Sequence, residues 1–386
     1  MLSYGRQNID QADIDAVIEV LKSPWLTQGD TIADFERELS ASLACKHACV
    51  VSNGTAALHL TALALGWQTG DVVLTSPITF VASANAILYA GAVPDFVDIN
   101  LSDNTIDIDK LDEKIKEHKR NGNKVKAIVA VDYAGHPCDW KALREIANRY
   151  HLDLVNDSCH ALGATYDGLI NYGTLYADAV TYSFHPVKHI TCGEGGAVLT
   201  NRRDLRDKVS QLRNHGIIRG EKEKASDSPW YYEVASLGFN YRLTDIQSAL
   251  GISQLSKLEE FLTKRKNIAE AYDKLFEGDS RFLIPSRRAN IEHSYHLYSL
   301  QFDFSVGQCT KSQLFHEMET KGIKLQVHYI PVYWHPIYVQ KFSYPRGYCR
   351  NAETFYSRQF SLPIHPGLTE DEVRYVSKTI QLFLSS

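Results

Sequence analysis

The chain has 386 residues, 44% of them hydrophobic and 23% charged, and a formal net charge of -5. That length supports one large domain with a smaller one beside it, and the mild acidity argues against a nucleic-acid or membrane-surface partner. No apolar stretch is long enough to span a bilayer, and the start Met1-Leu2-Ser3-Tyr4-Gly5-Arg6 has no apolar signal region, so a cytoplasmic protein is expected. Seven cysteines, odd in number and irregular in spacing, do not form a disulfide framework. Cys45, His47 and Cys49 lie close together, but no second ligand pair follows at zinc-site spacing, and no metal is expected.

In chain order, Ile14, Val17, Ile18 and Leu21 recur at helical spacing, as do Phe35, Leu39 and Leu43. The segments 48–51, 72–75, 93–97, 127–131, 152–155, 179–182 and 197–200 are short apolar runs that predict strands. Helical patterns fall between them at 55–65, 82–89, 111–118 and 140–150. This alternation predicts an α/β protein with a mostly parallel sheet covered on both faces. The charged, serine-containing stretch 220–229 predicts a mobile loop. After about residue 245 the texture changes. One long helical pattern covers 245–276, and strands at 295–302 and 325–328 alternate with helices at 311–321 and 370–384. That mixture predicts a small C-terminal α+β domain, with the division at 1–245 and 246–386.

Four segments can be placed at strand ends, where open α/β sheets build their sites. Ser52-Asn53-Gly54-Thr55-Ala56 opens a helix with small residues, whose free N–H groups suit a phosphate; an ordinary N-cap would look the same. Asn156-Asp157 closes a buried strand with a carboxylate, which needs either a cationic partner such as a protonated pyridine nitrogen or a role as helix cap. Phe80 follows the strand 72–75 and can stack on a flat ring or simply pack into the core. Lys188 sits in Ser183-Phe184-His185-Pro186-Val187-Lys188-His189, a loop between two strands with Gly193, Gly195 and Gly196 leading out. A lysine held there can lose solvation and become a nucleophile or an imine partner, where a turn lysine at the surface would not. The glycine run gives backbone room beside a ligand. A phosphate cradle, a stacking aromatic, an acid for a pyridinium and a lysine are together what pyridoxal 5'-phosphate (PLP) requires.

With these motifs the chain resembles the DegT/StrS family of fold-type I nucleotide-sugar aminotransferases over nearly its whole length. The likeness rests on Trp25-Leu26-Thr27-Gln28-Gly29, the segment 53–58, Asp157-Ser158-Cys159-His160-Ala161-Leu162-Gly163, the segment 183–196, and Gly238-Phe239-Asn240-Tyr241-Arg242-Leu243. Within the family it is most similar to the 4-aminating transaminases of pseudaminic acid biosynthesis, on the segments 132–136, 183–188, 213–216 and 326–333. The resemblance implies a PLP-dependent transferase of fold type I: an N-terminal arm and large domain on a mostly parallel mixed sheet, then a connecting helix and a small α+β domain. It implies that Lys188 holds the cofactor as an imine and that Asp157 pairs with the ring nitrogen. Phe80 would stack on the ring, and His160 would lie near its phenolic oxygen. Gly54, Thr55, Ala56 and Ser183 would hold the phosphate. Asn240 would reach the phosphate of a neighbouring subunit, which implies a homodimer with shared sites. Tyr4, Trp25, Leu26, Thr27, Gln326, Val327, His328 and Tyr329 would line the nucleotide-sugar pocket, with His215 and His335 as further candidates. The implied reaction moves an amino group from L-glutamate to C4 of a UDP-4-keto-6-deoxy-N-acetylhexosamine. Another 4-keto or 3-keto sugar, or a non-catalytic PLP-binding regulator on the same scaffold, are the alternatives. His189 departs from the family pattern, which often has proline there.

Overall fold

The computed structural model describes residues 1–218, 230–305 and 309–385, so the predicted loop at 220–229 lies outside the described residues. The strands are β1 His47–Val51, β2 Asp71–Thr75, β3 Val93–Phe96, β4 Lys124–Val131, β5 Asp153–Asp157, β6 Thr165–Tyr166, β7 Ala179–Ser183, β8 Gly196–Thr200, β9 Ile217–Ile218 and β10 Glu233–Val234. They are followed by β11 Phe282–Leu283, β12 Ile291–Glu292, β13 Tyr298–Phe302 and β14 Gln359–Leu362.

Seven of these strands form the main sheet, in the order β1-β8-β7-β5-β4-β2-β3. Its interior strands are continuous apolar runs, because helices cover both faces. Val73, Leu74, Ala127, Ile128, Ala130 and Leu154 are all fully buried. Only β8 runs against its neighbours, pairing antiparallel with β1 and with β7. The sequence pattern of β8 is that of a buried strand, and such a pattern does not encode direction. As a result β1, β2, β5 and β7 all end at one edge of the sheet, and their last residues face a common space.

The segment 245–276 was predicted as one helix and is two, Asp245–Leu255 and Leu258–Phe276. The joint has an electrostatic cause. Lys257 lies at the break, and its Nζ is 2.7 Å from Asp13 Oδ2 and 2.9 Å from Asp10 Oδ2. Asp13 is fully buried and also accepts from Ser253 and Gln254. Satisfying that carboxylate ties the joint to the N-terminal helix Gln11–Lys22. The predicted strand at 325–328 is extended chain with a single bridge, Gln326 to Ser361. The predicted strand at 295–302 begins at Tyr298, because Tyr295 takes a left-handed backbone with φ 51°.

The three-stranded antiparallel sheet β11-β13-β14 has its own core, in which Tyr272, Phe276, Tyr298, Leu300, Leu314, Met318, Phe360, Leu362 and Ile380 pack together. Leu2 packs on this core too, through a bridge to Ile323 that draws the N-terminal segment across the molecule. Tyr4 is fixed in the same way, its carbonyl accepting from Ile364 N–H at 3.0 Å. Among the described residues no helix is long and apolar enough to cross a membrane.

Candidate active site

The strand ends open onto a cavity of about 1010 Å³. Gly54, Thr55, Ala56, Phe80, Asp157, His160, Ser183 and Lys188 line it together with Tyr4, Gln326, Val327, His328 and Tyr329. Residues more than a hundred positions apart in sequence therefore share one wall.

The phosphate-like corner is built by helix Gly54–Ala64. Asn53 caps it, its Oδ1 accepting from Ala56 N–H at 2.8 Å. The N–H groups of Gly54 and Thr55 then have no acceptor within the helix and face the cavity with the positive end of its dipole. Ser183 presses on the same turn, and a Cβ on Gly54 would come 2.8 Å from Ser183 Cβ. Gly196 serves this turn as well, whereas Gly195 makes room for Cys192 and Phe184. A Cβ on Gly196 would lie 2.5 Å from Asn53 C and O and 2.7 Å from Gly54 N. The room that Gly196 provides is for the capping loop, which corrects the reading of this glycine as space beside a ligand.

Asp157 is buried, and its Oδ2 accepts from Ser83 Oγ at 2.5 Å. Ser83 Oγ is itself paired with Thr79 Oγ1 at 2.7 Å, so two hydroxyls fix the rotamer of the carboxylate. Behind it lies a second acid. Asp132 is fully buried and accepts from Cys138 N–H at 2.8 Å, Trp140 Nε1 at 3.0 Å, Ser158 Oγ at 3.3 Å and Tyr172 OH at 2.7 Å. Burial pushes its pKa up to about 6, and those donors pull the other way. Asp132 N–H donates to the Asp157 carbonyl at 3.1 Å, so this buried network holds the turn that presents Asp157.

Lys188 is part-exposed into the cavity, with its Nζ 3.5 Å from His296 Nε2. Loss of solvation lowers the pKa of its amine; Cys159 and Asp157 oppose the shift and Arg265 adds to it. The surrounding histidines are held neutral by burial, with repulsion from Lys188, when that amine is protonated, as a lesser cause for His160, His296 and His328, the last brought down to about 3. The tautomer of His160 is set by its partners. Ala134 N–H donates to Nδ1 at 3.3 Å, so Nε2 carries the proton and donates to Tyr329 OH at 3.1 Å. Burial raises the Tyr329 phenol well above its usual range, which keeps it a neutral hydroxyl.

A flat phosphorylated pyridine fits this donor set. Two free helix N–H groups and Ser183 could hold its phosphate, Asp157 could pair with a protonated ring nitrogen, and Lys188 could reach its carbonyl carbon.

The DegT/DnrJ/EryC1/StrS aminotransferase family model matches residues 7–381. This chain belongs to that family. The sugar aminotransferase is 39% identical over 380 residues to the UDP-4-amino-4,6-dideoxy-N-acetyl-β-L-altrosamine transaminase of Campylobacter jejuni, covering 98% of this chain and 96% of that one. It is similar in structure to Helicobacter pylori PseC, an aminotransferase involved in the biosynthesis of pseudaminic acid, with a TM-score of 0.90, 34% identity, and 100% and 99% of the two chains covered. It also matches Spr1654 of Streptococcus pneumoniae, a putative sugar aminotransferase solved in its PLP form, with a TM-score of 0.90, 28% identity, and 99% and 98% covered. Members of the family depend on PLP, and this enzyme is a PLP-dependent nucleotide-sugar aminotransferase of fold type I.

Four residues implied by the resemblance do not line the cavity of the single aminotransferase chain. Trp25 is 64% exposed and Leu26 44% exposed, Thr27 is exposed, and Asn240 is exposed and bridges to Asn214. Of the extra histidine candidates, His335 lines the cavity and His215 does not. His215 takes a left-handed backbone and donates its N–H to the Phe239 carbonyl. Sequence reasoning missed Ser83, His296, Tyr241 and Glu194. Ser83 lies on a helix 74 residues before its partner Asp157, and His296 just before β13, with no local pattern to mark either. Among the described residues no group of three His, Cys, Asp or Glu is arranged to hold a metal ion.

Proposed function

We propose that the enzyme transfers an amino group from L-glutamate to C4 of a UDP-4-keto-6-deoxy-N-acetylhexosamine, in the cytoplasm, as a step of pseudaminic acid biosynthesis. The observation that carries the chemistry is the meeting of Lys188, Asp157, Ser183 and the Gly54–Ala56 turn in one cavity. When bound, PLP supplies an electron sink for the carbanion formed at the amine-bearing carbon. Lys188, whose amine burial shifts toward the neutral form, would form the imine at the cofactor's carbonyl carbon and, once freed, would carry a proton between the amine-bearing carbon and the carbon on the other side of the imine nitrogen, as base and then acid. Asp157, locked by Ser83, keeps a positive ring nitrogen paired in a site shielded from water. Ser183 and the N–H groups of Gly54 and Thr55 would hold the phosphate and so restrict how the cofactor sits in the cavity.

The C4 sugar assignment is supported by the likeness to the Campylobacter transaminase and to PseC. Tyr4, Gln326, Val327, His328 and Tyr329 line the same cavity and could contact a sugar. His328 is oriented by Ser361 Oγ at 2.8 Å and packs on Tyr4 at a ring separation of 5.1 Å. The division at residue 245 and a homodimer with shared sites belong to the same proposal. In that dimer Trp25, Leu26, Thr27 and Asn240, exposed in one chain, would complete the partner's pocket. A non-catalytic regulator has no need of a desolvated lysine facing an acid locked by two hydroxyls.

The test is incubation with L-glutamate and a panel of UDP- and dTDP-4-keto and 3-keto sugars, with products resolved by mass spectrometry and NMR. Amination at C4 of the UDP-N-acetyl sugar is expected. Exclusive amination of a 3-keto sugar, or of a sugar without the N-acetyl group, would overturn the substrate assignment.

A further inference from the structure

His296 is buried and carries out no step assigned above. Its Nε2 lies 3.5 Å from Lys188 Nζ, and its ring packs 4.4 Å from His160 and 5.7 Å from His189. Its other nitrogen, Nδ1, is buried and meets no hydrogen-bond partner among the described residues. That asymmetry decides where the single proton of a neutral imidazole sits. A buried N–H without an acceptor is rarer and costlier than a buried lone pair without a donor. The proton therefore belongs on Nε2, the atom that faces the lysine. An Nε2–H can donate only to a nitrogen with a free lone pair, which the neutral amine has and the ammonium lacks.

The surroundings bias the same pair. Arg265 is fully buried, and its Nη1 donates to the carbonyls of Tyr295 and Ile364, both at 3.1 Å, and to that of His296 at 3.4 Å. Its Nη2 reaches the carbonyl of Lys188 at 3.5 Å. One guanidinium thus ties together the main chains that carry the lysine and the histidine and sets their spacing. Its charge also stands behind the lysine, where it disfavours a second cation. His189 is fixed on the same side, its Nε2 donating to the Ser294 carbonyl at 3.0 Å two residues before His296.

We propose that His296 is a positioning residue for Lys188: it donates a hydrogen bond from Nε2 to the lysine amine and holds that amine neutral and in place whenever it is free. This rests on Lys188 being the reactive amine, and it adds a residue that acts through the lysine. The groups facing the amine are Asp157 at the end of β5, Cys159 and His160 from the turn that follows, and His328 and Tyr329 from the segment after the bridge of Gln326 to Ser361. His189 and His296 flank it, and Arg265 comes from helix Leu258–Phe276.

The test reads the amine directly, without substrate. The full chain, freed of cofactor, is labelled with trace acetic anhydride across a range of pH, and acetylation at Lys188 is followed by mass spectrometry of its peptide. Replacing His296→Phe keeps a ring and removes the donor, and the midpoint for Lys188 labelling is expected to rise by about one pH unit, a shift of the size of one neutral hydrogen bond. Replacing His296→Gln restores an N–H donor at the same reach and is expected to return the midpoint close to that of the unaltered chain. An unchanged midpoint in His296→Phe would overturn the proposal, and so would a fall, which would mean that Nε2 accepts from an ammonium. A midpoint that rises equally in both variants would reduce His296 to packing and overturn it as well. Borohydride reduction of the holoenzyme checks the premise separately: an adduct on a lysine other than Lys188 would sink the functional reading and leave the labelling result interpretable.

Discussion

The cavity floor and the outer surface, where Trp25, Leu26, Trp230 and Leu237 are exposed, are built on opposite principles. On the floor the two acids and His160 are buried and tied down: Asp157 by Ser83, Asp132 by four donors, and His160 by Ala134 N–H and Tyr329. On the outer surface Trp230 is 75% exposed, Leu237 87% and Trp25 64%. Large apolar side chains this exposed would be covered if they lay together in an interface. The difference teaches that one chain gathers the polar groups of the floor, whereas the exposed apolar side chains are left for the proposed second copy of the chain to cover.

That contrast can be broken from the floor first. Replacing Lys188→Ala is expected to lower turnover by about 10⁴-fold or more, since the proton-transfer base and the imine partner go together. Folding should survive, because a poorly solvated amine is removed; kcat and a thermal unfolding midpoint measured on one preparation check both. Asp157→Asn keeps the shape and loses the charge, and turnover should fall by about 10²–10³-fold with the fold intact. Ser83→Ala should cost about tenfold in kcat, the size of one hydrogen bond to a charged group. If Ser83→Ala matched Asp157→Asn, the hydroxyl would be more than a support.

The outer surface should respond in the opposite sense. Leu237→Asp or Trp25→Asp is expected to weaken self-association by about tenfold or more, read by sedimentation, while acetylation of Lys188 in the cofactor-free chain keeps its pH midpoint. A change in that midpoint would show that the floor is not complete within one chain.

A smaller effect concerns pH. His160, His189, His296 and His328 are all held below their ordinary value of 6.5 in the folded state, chiefly by burial. The unfolded chain therefore binds more protons below that pH. Their contribution to stability is present above about pH 6.5 and is lost as pH falls toward the folded values. Thermal unfolding midpoints should be flat above neutrality and drop progressively on acidification, and His328→Gln should make the drop shallower.

Much of the floor was legible in the sequence because its parts sit at strand ends, and strand ends are local features. Asp157 closes an apolar run, Asn53-Gly54-Thr55 opens a helix of small residues, and Lys188 follows β7 in a loop. What escaped depends on long-range placement. The reversal of β8 leaves no trace in an apolar strand, and the break at 256–257 follows from Asp13, more than two hundred residues upstream. His296 and Arg265 reach Lys188 only after the small sheet has docked. The role of Gly196 was misread because what it makes room for is the backbone of Asn53, not a ligand.

The central claim is that Lys188 is the reactive amine of the floor. Borohydride reduction of the PLP-loaded enzyme followed by peptide mapping tests it most directly. The account expects a single cofactor adduct, on the peptide containing Lys188, and its absence from Lys188→Ala. An adduct on another lysine, or none while the protein keeps its visible absorbance, would contradict it.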